Sequence, residues 1–192
     1  WISPTWRMPN DKNQSKFENY SLDFISTNSE RIILDNSVDL GLNSTISLWV
    51  NFDSTGSVVL GEDSYSSNYL IYVDGTNIYI RINAVAVAFA HSMSTGQWYN
   101  IVAVRQGDSI EVFTNNTSLG TQTGYGTSIN TKFNAIGAKS NGTFPVNGKL
   151  SGIVGFDYAL SESQRNYLYN SGTPQNPMAI SGQPPVAYYP LG

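Results

Sequence analysis

The run Tyr69-Leu70-Ile71-Tyr72-Val73-Asp74-Gly75-Thr76-Asn77-Ile78-Tyr79-Ile80-Arg81-Ile82 decides how the chain is read. From Ile78 to Ile82 isoleucine alternates with Tyr79 and Arg81. In a strand this places the isoleucines on one face and Tyr79 and Arg81, with Asn83, on the other. An Asp-Gly step between two such runs signals a hairpin, because tight hairpin turns need a residue at positive φ. Thr76 and Asn77 lengthen that loop.

The same signal repeats outward in both directions. Thr45 to Val50 alternates, with Ile46, Leu48 and Val50 on one face. Trp98 to Arg105 reads as a strand, Gln106-Gly107-Asp108 as a turn and Ile110 to Phe113 as the return strand. Asn147-Gly148 reads as a further turn before the run from Lys149 to Phe156. Roughly a dozen strands at about ten-residue spacing point to an antiparallel, all-β sandwich or barrel. No βαβ pattern is present, which argues against a parallel sheet. One short helix is expected over 162–170. Ser161 and Gln164 have the spacing of a capping box, Glu162 suits the positive end of the helix dipole, and Gly172 stops the segment.

The ends differ from this body. Residues 1–16 hold two Trp and two Pro without periodicity and read as a linker or inter-module segment. The body runs from 17 to 172. Residues 173–192 form a Pro-rich linker followed by an apolar strand at 186–191, which must pair with this or a neighbouring module. The chain starts at Trp1, not Met, with no secretory signal, and is expected to be a fragment or a processed product.

Composition closes several classes of function. There are 192 residues, 14 acidic against 10 Lys and Arg, and charged residues make up only 12%. No basic footprint exists for a nucleic-acid backbone. The longest purely apolar run, Ala84–Ala90, is far too short to insert in a bilayer. There is no Cys, and His91 is the sole histidine, so disulfides, thiol catalysis and multi-histidine zinc sites are excluded. Sequons at Asn13, Asn19, Asn43, Asn115, Asn116 and Asn141 are no more than such an Asn-, Ser- and Thr-rich chain gives by chance.

Taken in order, Ser21-Leu22-Asp23-Phe24, Ile46-Ser47-Leu48-Trp49-Val50, Gln97-Trp98-Tyr99-Asn100, Gly148-Lys149-Leu150-Ser151 and Phe156-Asp157-Tyr158-Ala159-Leu160-Ser161 resemble the laminin-G-like, concanavalin A-like lectin/glucanase superfamily. The likeness covers residues 20–171. It implies a jelly roll of two curved antiparallel sheets, used for glycan binding or adhesion and repeated in tandem in surface and phage structural proteins. In such modules the stretch like Val186–Leu191 comes first; here it comes last. The chain departs from the family at Phe24-Ile25-Ser26 and Ser151-Gly152, where carboxylates usually stand. These departures weaken the case for a structural calcium ion.

Candidate chemistry follows from residue type. Glycoside hydrolysis needs two carboxylates facing one cleft, and the Glu-x-Asp-x-x-Glu pattern of the glucanase branch is missing. Glu62-Asp63 is the only adjacent acidic pair. It is the weak candidate for calcium and otherwise a solvated loop. A sugar needs an aromatic platform and a few fixed polar groups, which Tyr65, Asn68, Tyr79, Arg81 and His91 could supply. Trp49 and Trp98 are expected in the core, and Trp1 and Trp6 against an adjoining module. The uncharged run Ala84–Ala90 would invite edge pairing if exposed, and is expected in a central strand or beneath a neighbouring subunit. These readings point to a non-catalytic sandwich module of a virion or cell-surface protein, for adhesion, decoration or assembly. The alternatives are a lectin-like carbohydrate-binding module and, last, a glycan-cleaving enzyme. The expected partners are glycans or neighbouring protein modules, and the expected location is extracellular or on a virion surface.

Overall fold

A computed structural model describes residues 21–65 and 67–191. Two antiparallel sheets face each other as a jelly-roll β-sandwich. The strands are β1 (Leu22–Phe24), β2 (Ile32–Asp39), β3 (Asn43–Ser54), β4 (Ser57–Gly61), β5 (Ile71–Val73), β6 (Asn77–Ile82), β7 (Val85–Ala90), β8 (Trp98–Gln106), β9 (Ser109–Thr114), β10 (Thr117–Gln122), β11 (Lys132–Ile136), β12 (Asn147–Phe156) and β13 (Ala187–Tyr189), with one helix, α1 (Glu162–Tyr169). The seven-stranded sheet runs β1-β12-β3-β8-β9-β10, and β13 joins β12 on the same edge as β1. The six-stranded sheet runs β2-β11-β4-β5-β6-β7.

Period-2 alternation builds the core. Ile46, Leu48, Val50 and Phe52 from β3 and Ile101 from β8 meet Ile71, Val73, Ile78, Ile80 and Ile82 from the opposite sheet. Fully burying one such side chain stabilises the fold by about 1.5–3 kcal/mol. Arg105 is the exception in this layer. Its buried guanidinium donates to Gly107 O at 2.8 Å, Ile129 O at 2.7 Å, Gly126 O at 2.9 Å and Thr131 Oγ1 at 3.2 Å. Burial lowers its pKa, yet arginine keeps its proton, so the cation pins the 123–131 loop to the sandwich.

The helix lies on the outer face of the seven-stranded sheet. Ser161 Oγ accepts from Gln164 N and Gln164 Oε1 accepts from Ser161 N, the reciprocal cap expected from the spacing. The Tyr169 ring stacks on Trp49 at 6.0 Å, and the Arg165 guanidinium sits 4.1 Å from the centre of the Phe113 ring. Trp49 is therefore buried under the helix rather than between the sheets, because it alternates with the core residues Leu48 and Val50. Trp98, on the same outward face of its strand, is 39% exposed and does not enter the core. Trp1, Trp6 and the proposed 1–16 segment lie outside the described residues.

Three further features depart from the sequence reading. The run Ala84–Ala90 forms an edge strand, not a central one: β7 ends the six-stranded order. Its alternation buries Phe89 and leaves Ala84, Ala86, Ala88 and Ala90 exposed. Asn147-Gly148 is no turn but the start of β12, where Asn147 opposes Ser54 and Gly148 opposes Phe52 across a register shift. The Asp74-Gly75 turn forms without positive φ at Gly75. Asp74 Oδ1 instead accepts the N–H groups of Thr76 at 2.8 Å and Asn77 at 2.7 Å. The tail strand β13 pairs with β12 of the same chain, Tyr189 opposite Ile153 and Ala187 opposite Gly155.

Candidate functional site

The outer face of the six-stranded sheet carries a row of aromatic rings. Because Ile71, Val73, Ile78 and Ile80 face the core, Tyr72 of β5 and Tyr79 of β6 must face out. They are direct cross-strand partners, with ring centroids 5.6 Å apart. Phe144 reaches this face from the loop before β12. It has φ of 55°, it is 49% exposed, and its carbonyl accepts from Val58 N at 2.8 Å. Its ring stands edge-on to Tyr72 at 6.0 Å. Tyr69 lies on the other side of Tyr72 at 5.8 Å. A cation caps each end of the row: Arg81 is 5.1 Å from the Tyr69 centroid, and Lys139 Nζ is 4.6 Å from that of Phe144.

Beside Tyr79 and Arg81 the face drops to a low ledge. Tyr79 opposes Ala88, Arg81 opposes Ala86 and Asn77 opposes Ala90. Opposed residues share a face, so the ledge consists of exposed alanine methyl groups walled on one side by Tyr79 and Arg81.

Asp74 sets the polar end of the ledge. Partial burial works against its charge, but the N–H groups of Thr76 and Asn77 and the hydroxyls of Tyr79 and Thr76 outweigh this and hold its carboxyl below the ordinary range. The same carboxylate, by accepting from the Tyr79 hydroxyl, raises the pKa of that phenol. The pKa of Tyr72 is raised by burial and by the nearby Asp74 charge.

The five residues expected to bind ligand are thus divided. Tyr79 and Arg81 stand together on this face. His91 lies at the Asp74 end of the same hairpin: its Nδ1 accepts from Met93 N at 3.0 Å, which leaves Nε2 to donate to Asp74 O at 3.1 Å. Asn68 adopts the left-handed conformation in the preceding loop and bonds back to Tyr65 O at 2.9 Å. Tyr65 does not reach the face. It is buried, donating to Asn130 O at 2.6 Å and accepting from Lys132 N at 2.9 Å, and burial drives its pKa far up. Tyr72, Tyr69, Phe144 and Lys139 were missed. Tyr72 could have been found by pairing the two halves of the hairpin; Phe144 had only the weak signal of an aromatic beside Pro in a Gly-rich loop.

The acidic pair is already occupied by protein donors. Glu62 is buried and accepts from Ser37 Oγ at 3.0 Å, Ser64 N at 3.1 Å and Ser64 Oγ at 2.6 Å. Asp63 turns to Asn134 Nδ2 at 3.1 Å and to Ser140 Oγ. Among the described residues no three His, Asp or Glu side chains come together. The donor set does not fit calcium, which needs several oxygen ligands.

A family profile described as the concanavalin A-like lectin/glucanases superfamily matches residues 26–164. The chain belongs to this superfamily. No curated protein sequence matches it. Several solved structures share the superfamily sandwich. A candidate carbohydrate-binding protein of Bacteroides ovatus superposes with a TM-score of 0.65 at 14% identity, over 89% of this chain and 51% of that one. The chain thus spans about half the length of that relative. The native heptameric SAP-like pentraxin of Limulus polyphemus gives 0.58 at 18% identity, over 90% of this chain and 87% of that one. Domain 4 of AbnA, an extracellular GH43 arabinanase of Geobacillus stearothermophilus solved with arabinotriose, gives 0.50 at 17% identity, over 66% and 67%. At these identities the likeness is one of fold, and function has to be argued from the site. Among the described residues, no helix is long and apolar enough to cross a membrane.

Proposed function

We propose that this superfamily member is a non-catalytic module of an extracellular or virion-surface protein that adheres by binding saccharide chains across the outer face of its six-stranded sheet. The observation that carries the reading is the Tyr72–Tyr79 pair, flanked by Phe144 and opening onto the alanine ledge. Sugar rings present flat C–H faces that stack on aromatic rings, and a few fixed polar groups then set orientation. Tyr79 supplies the ring beside the ledge, and Arg81 and Asn77 flank it along the strand. The carbohydrate-binding description of the Bacteroides relative and the arabinotriose held by the arabinanase domain agree with this reading.

Catalysis is not part of the proposal. Glu62 and Asp63 face separate protein donors and form no carboxylate pair across a cleft. The experiment is a glycan array followed by calorimetry on each hit, with the wild-type chain and Tyr79→Ala. Binding by the wild type that is lost in the variant supports the site. No binding to any saccharide overturns the reading, and release of reducing ends from a polysaccharide panel overturns its non-catalytic part.

A further inference from the structure

Among the described residues no strand is hydrogen-bonded to the outer edge of β7, although β10, the edge strand of the other sheet, comes close to it. The ladder determines which groups face that edge. Arg81 N–H donates to Leu70 O at 2.9 Å and Asp74 N–H to Asn77 O at 3.0 Å, so the odd-numbered residues of β6 bond to β5. The even-numbered ones therefore bond to β7, and the His91 N–H to Thr76 O contact at 2.9 Å fits the same alternation. In β7, Val85, Val87 and Phe89 bond inward, while Ala86, Ala88 and Ala90 turn their N–H and C=O groups to the open edge. This edge holds no charge and no Pro, two devices that ordinarily blunt exposed strands.

The edge is also complementary to itself. Residues 84–90 read Ala-Val-Ala-Val-Ala-Phe-Ala, a pattern of small and large side chains that is symmetric about Val87. We propose that two copies of the chain pair antiparallel through β7 with Val87 on the two-fold axis. Ala86 then opposes the partner's Ala88 as a hydrogen-bonded pair, and Val85 opposes the partner's Phe89 on the inner face. Every pairing sets apolar against apolar and no like charges meet, which is what an isologous contact requires. A contact of one short strand falls below the roughly 800 Å² per partner of a standard interface, so the dimer is reversible and depends on concentration.

The pairing completes the site, a step that rests on the saccharide reading above. In one copy the ledge is open on its far side. In the pair, two ledges merge into a trough walled by Tyr79 and Arg81 from each copy. Along one row Tyr79, Ala88, the partner's Ala86 and the partner's Arg81 follow in order, so the walls stand three strand spacings, roughly 14 Å, apart. An extended saccharide is then held from both sides.

Because the chain has no Cys, single cysteine variants report the register. Val87→Cys brings two thiols together at a non-hydrogen-bonded pair, about 4.5 Å between Cα atoms and within disulfide range. Ala88→Cys faces the partner's Ala86, and its own counterpart lies on the diagonal at about 7–8 Å. Under mild oxidation without saccharide, Val87→Cys should cross-link at least tenfold faster. Ala88→Pro removes an edge N–H without touching the β6 ladder, and Ala86→Glu places a charge on the edge; each should convert a monomer–dimer mixture to monomer in sedimentation, with circular dichroism unchanged. Equal cross-linking of the two cysteine variants, or a wild-type chain that is monomeric at every concentration, overturns the pairing. Undiminished saccharide affinity in a strictly monomeric chain overturns the joint trough, while leaving the pairing and the Tyr79 site standing. Dimerisation with no saccharide bound supports the pairing and overturns the proposed function instead.

Discussion

Tyr72 and Tyr79 oppose each other on neighbouring strands with ring centroids 5.6 Å apart and planes tilted by 43°. Tyr79→Ala should weaken saccharide binding by about tenfold or more, or at least about 1.4 kcal/mol. The folded state should change by only about 0.5 kcal/mol, as for most surface substitutions. Tyr79→Phe keeps the ring and should keep most of the affinity. Calorimetry and thermal melts on the same samples check both statements.

Asp74 links the hairpin to acid. Its carboxyl pKa is depressed in the folded state, so its contribution to stability is present above the unfolded value, about 3.9, and is lost as pH falls through the folded value. Asp74→Asn should therefore melt lower than the wild type at pH 7. The gap should close as pH drops below about 4. Melting curves of both chains from pH 7 to acid measure it; a constant gap would contradict the linkage.

Two buried polar groups should prove structural. Arg105→Met strands the carbonyls of Gly107, Gly126 and Ile129 and should cost about 3 kcal/mol. Tyr65→Phe removes the hydroxyl held between Asn130 O and Lys132 N and should cost about 1–2 kcal/mol while leaving saccharide affinity unchanged. Urea midpoints give the first quantities and calorimetry the last.

Gly148 is a backbone requirement. It has φ of 138°, and a Cβ there would collide with Asn51 O on the neighbouring strand β3. Gly148→Ala should part β12 from β3, the two longest strands of the seven-stranded sheet. Destabilisation of more than about 3 kcal/mol is expected, seen as a lowered melting temperature or loss of soluble protein.

Much of this architecture was legible because it rests on local chemistry. The Ile78–Ile82 alternation assigned Tyr79 and Arg81 to the outward face, and Ser161 with Gln164 marked the helix start. What was not legible depends on neighbours. Periodicity cannot separate an edge strand from a central one, so of the two places open to Ala84–Ala90, a central strand or a position beneath a neighbouring subunit, the first is wrong: the run ends its sheet. Asn147-Gly148 looks like a turn, yet the positive φ of Gly148 accommodates a close approach within a ladder. Tyr65 looks like a platform residue until the distant Asn130 and Lys132 enclose its hydroxyl. Phe144 joins the ring row only through the fold, from a position remote in sequence.

β1 and β13 lie end to end on one edge of β12, opposite residues 148–150 and 153–155. A single rail is thus assembled from two pieces that stand almost a whole chain apart. During synthesis, β12 leaves the ribosome with half of this rail already made and the other half still to come. Until Ala187–Tyr189 emerge, the backbone at Ile153–Gly155 has no partner on that side, and Phe133 lacks the edge-on ring of Tyr189. Closure of the seven-stranded sheet is therefore a late, long-range event in the folding of this protein.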